Sequence, residues 1–147
     1  MTTLLALDIG GTKVGWGIVE AGDTYEVTER GSIPTDAMRG GADVAARICD
    51  LASSLVASHP AVSGVAVASA GVVDPSTGDI VSATGTMPGW GGTPLGALLQ
   101  EATGLKVRVL NDVHAHGLGE ATLGAGQPYR SVLSIAVGTG IGGALVE

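Results

Sequence analysis

Short apolar runs punctuated by glycine open the chain. Thr3–Ile9 is one such run, and Val14–Val19 alternates with glycine around Trp16. Gly10-Gly11 lies between them, so the pattern predicts two strands joined by a tight turn. Tyr25–Ile33 continues as a third, more polar strand, expected at a sheet edge. From Asp43 the period lengthens: Val44, Ile48, Leu51 and Leu55 recur at helical spacing behind Gly40-Gly41. Cys49 lies one position off that stripe and reads as an inert packed thiol. His59, just before Pro60, reads as a solvated cation at the helix end.

Val62–Ala68 is a further apolar run. The segment 71–92 is rich in turn residues, Asp74-Pro75-Ser76-Thr77-Gly78 among them. Thr93 is expected to cap the next helix, with Pro94 in its first turn. Leu95, Leu98, Leu99 and Ala102 form its expected buried stripe and Gly104 its stop. Lys106–Leu110 reads as a strand, which Asn111-Asp112 ends while beginning a helix that runs to about Gly124. Val132–Val137 and Ala144–Val146 form a last strand pair around a glycine loop. The alternation predicts an α/β fold with a partly antiparallel sheet. The last pair reads as the start of a further unit, cut short at Glu147.

Composition narrows the function classes. A chain of 147 residues is about one domain's worth and buries roughly 70% of its unfolded surface. With 45% hydrophobic residues and no Phe, the core must be Val, Leu, Ile and Ala. The 25 Gly have no G-X-Y period and Pro is only 6, which excludes collagen. Fourteen acidic residues against seven scattered basic ones give a net charge of −7. A nucleic-acid binder needs a basic face, so direct binding to nucleic acid is not expected. An anionic ligand would need a metal or backbone dipoles to neutralise it. The single Cys49 allows no intrachain disulfide. Met1–Leu7 lacks the basic start of a signal peptide, and glycines break the uncharged stretch Ser131–Val146, so no membrane span is expected. A cytoplasmic protein is the expectation.

Three places could carry chemistry. In Asp8-Ile9-Gly10-Gly11-Thr12-Lys13 the glycines would let backbone N–H groups converge on phosphate oxygens. Thr12 adds a hydroxyl, Lys13 a cation, and Asp8 a carboxylate for Mg²⁺ or its water; an ordinary hairpin turn fits the same residues. Gly138-Thr139-Gly140-Ile141-Gly142-Gly143 matches G-x-G-x-x-G, but a dinucleotide site needs a helix next. The residues that follow look like a strand, so a second glycine turn, facing the first across a nucleotide's phosphates, is the better reading. Asn111-Asp112 falls at the carboxyl end of a strand, where α/β sheets bind ligands. Asp112 would start a helix, in a dipole field that suits a carboxylate, and could accept a hydroxyl proton. A plain Asn/Asp cap fits equally well. His114 and His116 join Asp112 as metal ligands only if the segment is not helical, since i and i+2 face apart on a helix.

Together these residues resemble the ROK family of bacterial sugar kinases and sugar-responsive repressors. The resemblance runs through Asp8–Lys13, Ala70-Gly71-Val72-Val73-Asp74-Pro75 with Gly78, Met87-Pro88-Gly89-Trp90, Asn111-Asp112, Gly119-Glu120 and Gly138–Gly143, in the family's order. It implies a ribonuclease-H-like mixed sheet with packed helices, the lobe type of actin and hexokinase. Residues 1–129 would form the N-terminal lobe and 130–147 the first strand pair of a second. It further implies ATP with Mg²⁺, phosphates held by Asp8, Gly10, Gly11, Thr12, Lys13, Gly138, Thr139 and Gly140, and Asp112 as the catalytic base. Asn111, Gly71 and Thr84 would line the sugar. The family's zinc cluster and Glu-x-x-His sugar contact belong to its second lobe, beyond Glu147. Thr86, Ala70 and His114 depart from the family's usual Asn, Pro and Asn, which bears on which sugar is taken. The resemblance implies a hexose or N-acetylhexosamine kinase, and the apolar edge strands of the final hairpin are expected to favour self-association into a homo-oligomer. The alternatives are a sugar-sensing regulator without its DNA-binding segment and a sugar-binding module without catalysis.

Overall fold

The computed structural model describes residues 1–138 and 140–147, in two compact units, 1–110 and 111–147. In the first, β1 (Thr2–Ile9), β2 (Lys13–Ala21) and β3 (Tyr25–Pro34) form a meander, followed by α1 (Gly41–Ser58) and β4 (Val62–Ser69). A hairpin of β5 (Val72–Asp74) and β6 (Asp79–Ser82) comes next, then α2 (Leu95–Thr103) and β7 (Lys106–Asn111). The main sheet has the order β3-β2-β1-β4-β7, with β3 at the expected edge. β1 runs antiparallel to β2, Leu5 opposite Ile18, and parallel to β4, Leu5 opposite Val65.

Alternation in β1 sends Leu5, Leu7 and Ile9 to one face, where they are buried. Val14, Ile18, Val65 and Val67 join them, and Val44, Ile48, Ala52 and Leu55 of α1 with Leu95 and Leu99 of α2 complete the core. Each large aliphatic buried there contributes about 1.5–3 kcal/mol. The stripes are thus as expected, except that Leu51, Leu98 and Ala102 are only half-buried.

Three local expectations are corrected. The segment 71–92 contains the hairpin β5–β6, Val73 opposite Ile80, in addition to turns. Thr93 makes no side-chain cap: it is buried, and its carbonyl accepts the Ile80 and Leu95 N–H groups, which draws the residue inward. His59 closes α1 but is not merely solvated. Its ring bonds the Leu55 carbonyl and the Glu29 carboxylate, each at 2.8 Å. Cys49 is half-buried, and that burial, followed by Asp50 and Glu101, pushes its thiol pKa up.

In the second unit α3 (Asp112–Leu123) packs on a hairpin of β8 (Val132–Val137) and β9 (Ile141–Val146). Leu133 pairs with Leu145 and Ile135 with Gly143. Gly142 and Gly143 therefore belong to the strand, which begins three residues before the expected Ala144. Gly117 lets α3 close on Ser134 and Ala144: a Cβ there would stand 3.0 Å from the Ala144 Cβ. Leu133, Ile135, Val137, Ile141 and Leu145 lie exposed on the hairpin. Among the described residues, no helix is long and apolar enough to cross a membrane.

Candidate active site

In the first unit, β1 and β4 lie side by side, and their carboxyl ends deliver two loops to one place. The Ala70 N–H donates to the Ile9 carbonyl at 2.8 Å, extending the strand pairing by one residue. The first loop, residues 10–13, closes with the Gly10 N–H on the Lys13 carbonyl at 3.0 Å. Gly11, Thr12 and Lys13 are exposed. Gly11 also touches a third segment: a Cβ there would lie 3.6 Å from the Thr86 carbonyl oxygen. Thr84 and Thr86 share a hydroxyl hydrogen bond of 2.7 Å. The expected phosphate loop, Gly71 and Thr84 are thus neighbours around the ends of two adjacent strands.

The glycines of these loops differ in what the fold asks of them. Gly71 has φ 98°, and a Cβ would stand 2.7 Å from the Ser82 carbonyl oxygen. The chain's own geometry requires glycine there. Gly10 and Gly11 adopt no left-handed φ, and a Cβ would meet neighbours at 3.4 and 3.6 Å, ordinary contacts. The fold does not require glycine at either place. Asp8 is exposed at the end of β1, opposite Gly15, and lines the same hollow in the sheet as Lys13.

Behind the loops lies a buried polar layer. Trp90 donates from Nε1 to the Ser69 hydroxyl at 3.1 Å, and Ser69 donates to the Ala70 carbonyl at 2.9 Å. Thr35 bonds residues 10 and 12. Nothing in the sequence pattern singles out Ser69 or Thr35, since each bonds a residue far away or on its own strand end.

In the second unit, Asn111 caps α3 from the end of β7. Its Oδ1 accepts the Val113 N–H at 3.0 Å and the His114 N–H at 3.2 Å. Asp112 opens the helix, half-buried, and its Oδ1 also accepts the Val113 N–H, at 2.9 Å. The cap and the candidate base are therefore adjacent residues that share the Val113 N–H. Val113 packs on β9 where Gly142 has no side chain: a Cβ there would lie 2.9 Å from a Val113 methyl. The turn that carries Asp112 thus covers the strand leaving the second glycine loop. In that loop Gly138 donates to the Gly140 carbonyl at 2.8 Å, and a Cβ at either glycine would meet nothing within 4 Å. Thr139 lies outside the described residues. His114 and His116 are exposed on α3, where a two-residue spacing turns them apart.

Mixed sheet, packed helices and strand-end loops define an α/β lobe of the actin and hexokinase type. The ROK family model matches residues 4–147, and the chain belongs to that family. The glucokinase of Halalkalibacterium halodurans is 32% identical over 97% of this chain and 43% of its own length. The crystal structure of a ROK family glucokinase from Streptomyces griseus, in complex with glucose and AMPPNP, superposes with a TM-score of 0.83. It is 29% identical over 98% of this chain and 44% of that one. A ROK family transcriptional regulator, a homolog of E. coli MLC protein, superposes with a TM-score of 0.84 at 25% identity, over 98% of this chain and 36% of that one. The chain spans about half the length of the curated relatives it matches.

Proposed function

We propose that this chain carries the N-terminal part of an ATP-dependent sugar kinase acting on a hexose or N-acetylhexosamine. Asp112 is its base. It accepts the proton of the attacking sugar hydroxyl while that oxygen bonds the γ-phosphorus. The bond from phosphorus to the β–γ bridging oxygen breaks, and ADP leaves with its electron pair. Phosphoryl transfer depends mostly on positioning and charge neutralisation, so the remaining roles are of that kind. Gly10, Gly11, Thr12 and Lys13 are assigned to the phosphates, as are Gly138, Thr139 and Gly140. Gly71, Thr84 and Asn111 line the sugar.

The observation that carries this reading is the placement of Asp112. It is a half-buried carboxylate in the first turn of a helix, on a strand end whose geometry Asn111 already fixes. Asn111 supplies most of the cap, accepting two N–H groups, and Asp112 adds a single bond, from the Val113 N–H to its Oδ1. The glycines add support: Gly10, Gly11, Gly138 and Gly140 have room for a side chain, so a closely approaching ligand gives a reason for glycine.

Asp8 fits a magnesium site in donor chemistry, since Mg²⁺ is commonly held by one or two carboxylates together with substrate phosphates. When bound there, the ion would draw negative charge from the transferring phosphate. Lys13 supplies a fixed positive charge to the same end of the nucleotide.

The test is phosphotransfer from ATP·Mg²⁺ to a panel of hexoses by the full protein, beside Asp112→Asn. A base contributes about 10²–10⁴-fold, so the variant should lose that much kcat with sugar binding retained. An unchanged rate overturns the role of Asp112. Sugar binding with no phosphotransfer by the unaltered protein would favour the regulator, a reading that the shared lobe of the MLC homolog keeps in view.

A further inference from the structure

Thr35 follows the exposed edge strand β3, yet it is completely buried. All three of its polar groups are engaged. Its N–H donates to the Thr12 carbonyl at 3.0 Å and its hydroxyl to the Gly10 carbonyl at 2.6 Å. Its own carbonyl accepts an Arg47 guanidinium N–H. Arg47 donates a second N–H to the Pro34 carbonyl at 3.2 Å, and Asp43 holds its Nε at 2.8 Å. Arg39 sits on the other Asp43 oxygen at 3.1 Å. This chain of contacts runs from the surface of α1 to the two carbonyls of the glycine loop.

The direction of those carbonyls determines that of the neighbouring amides. A trans peptide unit is planar, with C=O and the following N–H on opposite sides. Holding the Gly10 and Thr12 carbonyls toward Thr35 therefore turns the Gly11 and Lys13 N–H groups away from it. Glycine alone would leave this segment many conformations. The Thr35 hydroxyl on Gly10, its backbone N–H on Thr12 and the Gly10–Lys13 bond restrict the loop before any ligand arrives. The hydroxyl is the one side-chain contribution among them. Such prior restriction lowers the ordering cost of binding.

We propose that Thr35, anchored by Arg47, is the positioning residue of the loop 10–13, orienting its amides for a nucleotide's phosphates. The assignment of phosphates to this loop rests on the kinase reading above; the orientation of the loop does not. Thr35 touches no substrate and acts only through Gly10 and Thr12.

The test compares Thr35→Val, which keeps the branched shape and loses the hydroxyl, with Thr35→Ser, which keeps the hydroxyl. Amide hydrogen exchange at Gly11–Lys13 reports loop order without any ligand. Calorimetric titration with AMPPNP·Mg²⁺, and separately with glucose, reports binding. Thr35→Val should speed exchange at those amides about tenfold and weaken AMPPNP about tenfold, leaving glucose affinity unchanged. Thr35→Ser should restore both toward the unaltered protein. Unchanged exchange in Thr35→Val overturns the proposal, as does an equal loss of AMPPNP and glucose affinity. If the unaltered protein binds no AMPPNP, the kinase reading fails while the exchange comparison still decides the role of Thr35. If Thr35→Val does not fold, Arg47→Met removes the anchor and leaves the hydroxyl. It should then speed exchange at the same three amides, and unchanged exchange there counts against the proposal.

Discussion

Trp90 and Ser69, twenty-one positions apart, meet through a buried hydrogen bond of 3.1 Å between the indole Nε1 and the hydroxyl. Both residues are completely buried. Ser69 passes the contact on to the Ala70 carbonyl. The large ring therefore fills the core and also restrains the strand end that leads into Gly71.

Trp90→Phe tests the polar half of that role. Ser69 loses the N–H it accepts, and the missing second ring leaves a cavity in the core. Removing one partner of a buried hydrogen bond costs about 1–3 kcal/mol, the cavity adds to it, and urea unfolding should show a loss of at least that size. Sugar affinity should fall with it, because Ala70-Gly71 is less firmly held, while AMPPNP affinity should change little.

Gly71→Ala should be costly for a different reason. At φ 98° the alanine is strained, and its methyl would stand 2.7 Å from the Ser82 carbonyl oxygen. Backbone strain of this kind costs about 1–3 kcal/mol, and the β5–β6 hairpin must also shift. Thermal unfolding should show a lower Tm. Gly10→Ala, with no left-handed φ to violate, should leave Tm nearly unchanged and act on nucleotide binding.

A pH dependence follows from His59. Its bond to Glu29 first, and to the Leu55 carbonyl second, raises its pKa above the ordinary 6.5. A raised folded-state pKa means that the charged form is favoured by folding. The stabilisation is then fully present below 6.5, the unfolded value, and fades as pH rises through the raised folded value. Tm measured across that window should decline with pH, and Glu29→Gln should flatten the decline. An identical slope in the variant would dismiss this pair as its source.

Much of the fold is legible in the residues because alternation and helical spacing coincide with burial. Leu5, Leu7 and Ile9 show it for β1, and Val44, Ile48 and Leu55 for α1. The hairpin β5–β6 is not legible: its strands are three and four residues long, with Val72 and Val81 exposed. Too few positions alternate to reveal a period. Thr93 has the side chain of a cap, but its position between Ile80 and α2 draws it into the core, a pull that comes from residues distant in sequence. The candidate site divides in the same way. Asn111 and the glycine loops are visible as local motifs, whereas Thr35 and Ser69 matter only through the carbonyls they meet after folding.

β1 occupies the middle of the sheet, bonded on both sides along its length. The loops leaving β1 and its neighbour β4 are thus mounted on the stiffest part of this lobe. A ligand held by those loops, as proposed above, would meet backbone already tied down on two sides by strand pairing.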